Sequence, residues 1–309
     1  MTPEKKQESI SGNLMVIISV VLWGTTGVMT QHLYDICDIS VGTFIMIKLL
    51  LTGIILLGYC FCKDQKQIFQ VWSNKKDSIG MILITILGIT GTQYSFFSAI
   101  HASDAPTATV LLYTYPVLVM IVTIIKNKSK PHLIEEICIF CAVIGTVMIA
   151  THGKITELAI SFEALFWGLA SSVGNCYFSV YSTELTHKYG SVLVNGWGML
   201  IGGLFVFVAD FKAMSWFHIS FEVVLYLGVI IILGTMISFV LYLKGIQIIG
   251  AVRASVLGAL EPFSALLVAV CFLNQHVVLA DVAGMIGIIV SVLLPVIHCK
   301  KKAPTCAKL

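Results

Sequence analysis

Glu261 and Pro262 stand side by side in "GALEPFSALL" (Gly258–Leu267), inside an apolar run from about Ala254 to Leu273. A carboxylate resists an oily surrounding, and a proline breaks the helix that such a surrounding demands. Lys48 is a second misfit, well inside the apolar run near 40–61. Opposite charges within apolar segments suit two chemistries. They can relay charge, or they can clamp a zwitterion, with Lys48 on its carboxylate and Glu261 on its amine. The alternative is a static internal ion pair that fixes helix register. At about 1.5 Å per residue, Lys48 lies about 12 Å below the outer end of its run and Glu261 about 18 Å. We therefore expect the two to pair or to share a water-filled pocket.

The elements that must hold these residues are legible from composition. The chain has 309 residues, of which 58% are hydrophobic and only 11% charged, with a mean hydropathy of +0.95. Soluble domains carry about 25% charged residues, so this chain cannot cover a water-facing surface and reads as an integral membrane protein. Its apolar runs are about 18–22 residues long without alternation, which fits helices and not barrel strands. Ten are expected, near 13–33, 40–61, 79–100, 105–125, 136–151, 163–186, 192–209, 223–246, 251–273 and 282–298. Met1–Gly12 reads as a polar tail, and the first run is too long for a cleavable signal. Lysines gather at the tails and even-numbered loops (Lys5, Lys63, Lys66, Lys75, Lys126, Lys130, Lys188, Lys300), against Lys154 and Lys212 in the odd loops. Both termini are therefore expected in the cytoplasm. The net charge of +3 is spread over loops and gives no reason to expect nucleic acid. Nine cysteines, mostly within apolar runs, suggest small hydrophobes more than a disulfide framework.

The two halves repeat. "AIHASDAPTATVLLYTYPVLVMIV" (Ala99–Val122) lies on "GIQIIGAVRASVLGALEPFSALLV" (Gly245–Val268) without a gap, which puts Pro116 on Pro262. "LWG" at Leu22–Gly24 likewise matches "FWG" at Phe166–Gly168. Five spans per half make the second copy enter from the opposite face, an inverted repeat typical of carriers. Each mid-span proline leaves a carbonyl four residues back without its donor, here those of Leu112 and Gly258. Two such breaks at mid-depth point to a shared central cavity, with packing kinks as the alternative.

These residues resemble EamA-type carriers of the drug/metabolite transporter superfamily: the repeated halves, the early Trp-Gly of each half, "SDAPTATVLLYTYPVL" and "GAVRASVLGALEPFSALL". The resemblance spans about 13–298 and implies outward movement of amino acids, other small metabolites or drugs by alternating access. It also implies first and second five-helix repeats at 13–151 and 163–298, between cytoplasmic tails at 1–12 and 299–309. One departure stands out. Small multidrug-type members of the superfamily carry an acidic residue in the first span, and Leu14–Leu33 has none.

Helical spacing puts Ala254, Gly258, Glu261 and Ala265 on one face, and Tyr115 takes the matching place in the fourth span. The third span sets Thr90, Tyr94, Phe97 and His101 on one face with Gln93 beside it. The sixth offers Trp167 and Asn175, the eighth Tyr242, and Trp23 matches Trp167. Lys48, Glu261, Tyr115, Tyr94, Gln93, Trp23, Trp167, Asn175 and Tyr242 are thus the candidate binding and translocation residues, with packing as the plain alternative for each. Arg253 and Lys244 read as anchors at span ends.

The expectation is an all-α secondary transporter of a small polar metabolite, an exporter in the cell membrane, as a monomer or homodimer in the bilayer. A coupling proton or cation stays open. An intramembrane enzyme, a channel or receptor, and a drug efflux carrier are the rivals. No nucleophile–base motif, metal cluster or cofactor signature is seen, and no Walker motif points to ATP.

Overall fold

The computed structural model describes residues 3–63, 68–128, 133–151, 160–211, 220–249, 254, 257–258 and 260–301. Every regular element among them is helical. The chain forms α1 (Pro3–Ile36), α2 (Val41–Lys63) and a 3₁₀ turn at Gln70–Ser73. Next come α3 (Lys75–Leu83) and α4 (Gly91–Ala102), joined by a wide π-helical stretch, Ile84–Thr90. α5 (Ala105–Leu112), α6 (Tyr115–Asn127), α7 (Leu133–Thr151), α8 (Phe162–Tyr181), α9 (Thr183–Tyr189) and α10 (Ser191–Ala209) follow. A second π-helical stretch, Ile232–Ile237, joins α11 (Phe221–Ile231) to α12 (Ser238–Ile249), before α13 (Leu260–Leu273) and α14 (Leu279–Lys301).

Among the described residues, six helical stretches are long and apolar enough to cross a membrane: 10–36, 41–63, 75–102, 105–126, 191–209 and 221–249. Shorter apolar helices lie at Glu136–Thr151, Leu260–Leu273 and Leu279–Ser291. Their outer faces show large apolar side chains, among them Ile54, Phe140, Val208 and Phe272. Water would not tolerate such a surface, and a lipid phase does.

Helix starts follow local chemistry. The Asp104 carboxylate accepts from the Thr107 N–H at 2.8 Å, with Pro106 in the first turn of α5. Ser161 and Ser220 cap α8 and α11 in the same way. Three expected edges shift. Residues expected as a polar tail are already helical from Pro3, because Glu4, Lys5, Lys6, Gln7 and Glu8 are good helix formers. At the other end α14 runs on to Lys301. The sixth run does not continue to 186: α8 ends at Tyr181 and the chain turns at Ser182 into α9, whose Leu185 is drawn into a cluster with Val71, Met81 and Val194. Lys66, Lys130, Lys154, Lys212 and Arg253 lie outside the described residues.

Helices pair antiparallel through small residues. On α2, a Cβ at Gly53 would stand 2.5 Å from the Leu200 nitrogen, and on α10 one at Gly203 would stand 2.9 Å from that of Leu50. Away from this pair, α7 and α14 meet the same way. A Cβ at Gly145 would be 2.6 Å from the Gly284 carbonyl oxygen, and one at Gly284 2.7 Å from that of Gly145. Bare backbone at these positions lets helices touch where lipid gives no hydrophobic drive to associate.

Candidate functional site

A cavity of about 650 Å³ lies among α1, α2, α4, α8, α10, α12 and α13. Both wide turns open onto it, through Gly88 and Ile89 in one and Gly234 and Thr235 in the other. A π turn loosens the backbone ladder, and side chains repair it here. Thr235 Oγ1 donates to the Ile230 carbonyl at 3.2 Å, and Ser238 Oγ donates to that of Leu233.

Lys48 enters from α2, almost wholly buried. Its Nζ donates to Gln93 Oε1 at 2.8 Å and stands 4.1 Å from the centre of the Phe97 ring. Among the described residues no carboxylate lies within ion-pairing distance of it. Of the two arrangements expected for Lys48 and Glu261, the direct pair is not formed, and both side chains line the same cavity. Depth along two helices is one coordinate, and it does not fix which way the side chains turn.

Glu261 meets a tyrosine instead. The proline ring of Pro262 has no N–H to give the Gly258 carbonyl. Tyr113 Oη fills that vacancy at 2.6 Å and lies 3.0 Å from Glu261 Oε2. Tyr113 can reach because α5 stops at Leu112 and α6 starts at Tyr115, so Tyr113 and Thr114 form a non-helical joint ahead of Pro116. Thr114 fixes the joint through a 2.7 Å bond with Ser172 of α8. The helix is interrupted at Tyr113–Thr114, just ahead of Pro116, whereas Leu260–Leu273 is helical across Pro262.

Tyr115, Gln93, Trp23, Asn175 and Tyr242 also line the cavity. The Trp23 and Tyr242 rings pack at 4.9 Å, and those of Tyr113 and Tyr115 at 6.3 Å. Tyr94 and Trp167 do not join the lining. Their rings pack against one another at 5.9 Å, and the Tyr94 hydroxyl donates to Asp210 Oδ2 at 3.1 Å. The residues that sequence reasoning passed over are Tyr113, Phe96, Thr92 and Asn195. Thr92 has a buried hydroxyl with no partner among the described residues. Tyr113 and Thr92 had one available signal, their closeness to Pro116 and Gln93. Among the described residues, no group of three or more His, Cys, Asp or Glu is set to hold a metal.

The cavity lining continues to Thr186, His187 and Ser191 around α9. This rim is tied to α3. Lys188 Nζ and the Tyr189 hydroxyl both donate to Asp77 Oδ2, at 2.5 and 2.6 Å. The bond to Asp77, and next that to Tyr189, holds the Lys188 ammonium above the ordinary lysine range. Lys76 and Glu184 also meet at 3.5 Å, but both are well exposed and such pairs contribute little.

The EamA-like transporter family matches the chain twice, over residues 10–151 and 162–297. The chain belongs to that family. An uncharacterized inner membrane transporter of Salmonella typhimurium, YicL, is 34% identical over 292 residues, covering 94% of this chain and 97% of its own. The uncharacterized transporter YcbK of Bacillus subtilis is 24% identical over 296 residues, 92% of each chain. A solved structure superposes with a TM-score of 0.62 at 15% identity, covering 94% of this chain and 98% of that one, and so shares the fold. This EamA-like protein is accordingly a membrane transporter with a cavity between its helices that polar and apolar side chains both line.

Proposed function

We propose that this EamA-like transporter is a secondary carrier of a small polar metabolite, an amino acid or a related compound, moved outward by alternating access. The observation that carries the reading is one cavity lined by both Lys48 and Glu261, neither of them paired with an opposite charge among the described residues. A solute carboxylate fits the Lys48–Gln93 side, where a charge-assisted bond would form. An amine fits the Glu261 side, and Trp23, Tyr115 and Tyr242 supply aromatic walls between. Ionisable groups without an ionic partner inside a helical bundle mark a substrate path more often than a scaffold.

The architecture of this reading is ten spans in two inverted repeats, 13–151 and 163–298, with both termini cytoplasmic. Three observations support it. The family matches twice in tandem. Gly53 and Gly203 make reciprocal contacts between α2 and α10. The wide turns place Gly88 and Gly234 at the same offset that superposes Pro116 on Pro262. The lysine bias then puts α9 and its rim on the cytoplasmic side, where solute would enter for export.

Counterflow in proteoliposomes tests the reading. Vesicles loaded with unlabelled amino acids should take up labelled ones faster than empty vesicles, and uptake should saturate. Flux that ignores solute on the far side, or never saturates, would replace the carrier with a channel.

A further inference from the structure

The Pro262–Gly258–Tyr113–Glu261 arrangement fixes more than position. A tyrosine hydroxyl has one proton. Tyr113 Oη lies 2.6 Å from the Gly258 carbonyl, an acceptor that can offer nothing back. With its proton on that carbonyl, the hydroxyl faces Glu261 Oε2, 3.0 Å away, with a lone pair. Two oxygens without a proton between them repel at that distance. The contact is favourable when the carboxyl itself carries a proton and donates it to Tyr113 Oη. Pro262 makes the assignment one-sided, because it is the missing N–H that claims the hydroxyl.

We propose that Glu261 is a proton-binding site of this transporter, neutral in this conformation and donating to Tyr113 Oη. Among the described residues, the titratable groups around it agree with a neutral acid. Tyr113 comes from the end of α5, Tyr115 from α6 and Tyr242 from α12, and none of these is a cation. α1 presents Trp23 and Gly24 there. Lys48, on α2, turns to Gln93 and Phe97 and does not reach the carboxyl. The ligand is a proton, and a cationic amine competes with it for the same oxygen. When an ammonium reaches Glu261, the acid proton leaves to the cavity solvent, one proton out for one cation in. This exchange step rests on the carrier reading above, whereas the protonation itself does not.

Infrared spectroscopy of the purified, full-length protein tests the protonation without any transport. At pH 7 the wild type should show a carboxylic-acid C=O band of one equivalent per chain that Glu261→Gln lacks. In Tyr113→Phe the band should shift, because the acid has lost its acceptor. Identical acid-region spectra for wild type and Glu261→Gln, or an unshifted band in Tyr113→Phe, would overturn the proposal. Normal counterflow with no such band sinks the proton site alone. A band without counterflow sinks the carrier reading and leaves the proton site.

Discussion

Lys48 reaches across from α2 to Gln93 at the start of α4, 2.8 Å from nitrogen to oxygen, and rests on the face of Phe97. An amide and an aromatic face soften the burial of an ammonium without neutralising it. The charge stays available to a ligand. A hydrogen bond to a charged group contributes about 1.5–3 kcal/mol. Lys48→Met should therefore weaken apparent affinity for carboxylate solutes by roughly 10- to 100-fold, at about 1.4 kcal/mol per tenfold. Its melting temperature should stay close to wild type, because an apolar chain replaces a costly buried charge. Gln93→Leu should show the reverse order of effects. It strips the ammonium of its acceptor, with a stability loss of about 1–3 kcal/mol. Thermal unfolding of the two variants in detergent compares them directly.

Packing at the α2–α10 contact gives a second expectation. Gly53→Ala and Gly203→Ala push a methyl against the backbone of the facing helix, at 2.5 and 2.9 Å. Each should destabilise by roughly 1–3 kcal/mol. Gly58→Ala on the same helix meets nothing within 4 Å. It should be neutral or gain up to about 1 kcal/mol from helix propensity. Unfolding midpoints that fail to rank the three this way would contradict the interface.

The rim contact predicts a pH signature. Lys188 is held above its ordinary value by Asp77 and Tyr189, so its contribution is fully present below the unfolded lysine value, about 10.4. The contribution is lost as pH rises through the folded value. Lys188→Met should therefore melt earlier than wild type at pH 7 and pH 9 alike. The gap should narrow only once pH has passed the ordinary lysine value. A gap that closes near neutrality would place the effect elsewhere.

Pro262→Ala returns an N–H to the Gly258 carbonyl. Tyr113 is then free to give its proton to Glu261. The carboxylic-acid infrared band expected at pH 7 should weaken or vanish in this variant, while the fold is kept. Persistence of the full band would show that the proline does not govern the acid.

Much of this site could be read from the chain. Lys48 and Glu261 betray themselves by sitting in apolar runs, and Pro116 announces the end of α5. What the chain conceals is which side chain a broken helix re-aims. Tyr115 falls on Glu261 when the two halves are laid together without a gap, yet the joint at Tyr113–Thr114 brings the Tyr113 hydroxyl within 3.0 Å of the carboxyl. In the third span Gln93, Phe96 and Phe97 line the cavity, while Tyr94 turns to Asp210. The α2–α10 pairing was equally hidden, because a glycine records closeness without naming its neighbour.

The two wide turns beside the cavity have a mechanical meaning. Each stores a surplus residue in a helix that is otherwise continuous, and such slack can slide along the backbone one carbonyl at a time. A slide of that kind shifts the turns it passes by about 1.5 Å, the rise of one residue, and leaves the helix ends in place. With a reservoir on each side, at Gly88 and Gly234, the chamber can resize around a solute while the glycine-stitched α2–α10 and α7–α14 seams stay intact.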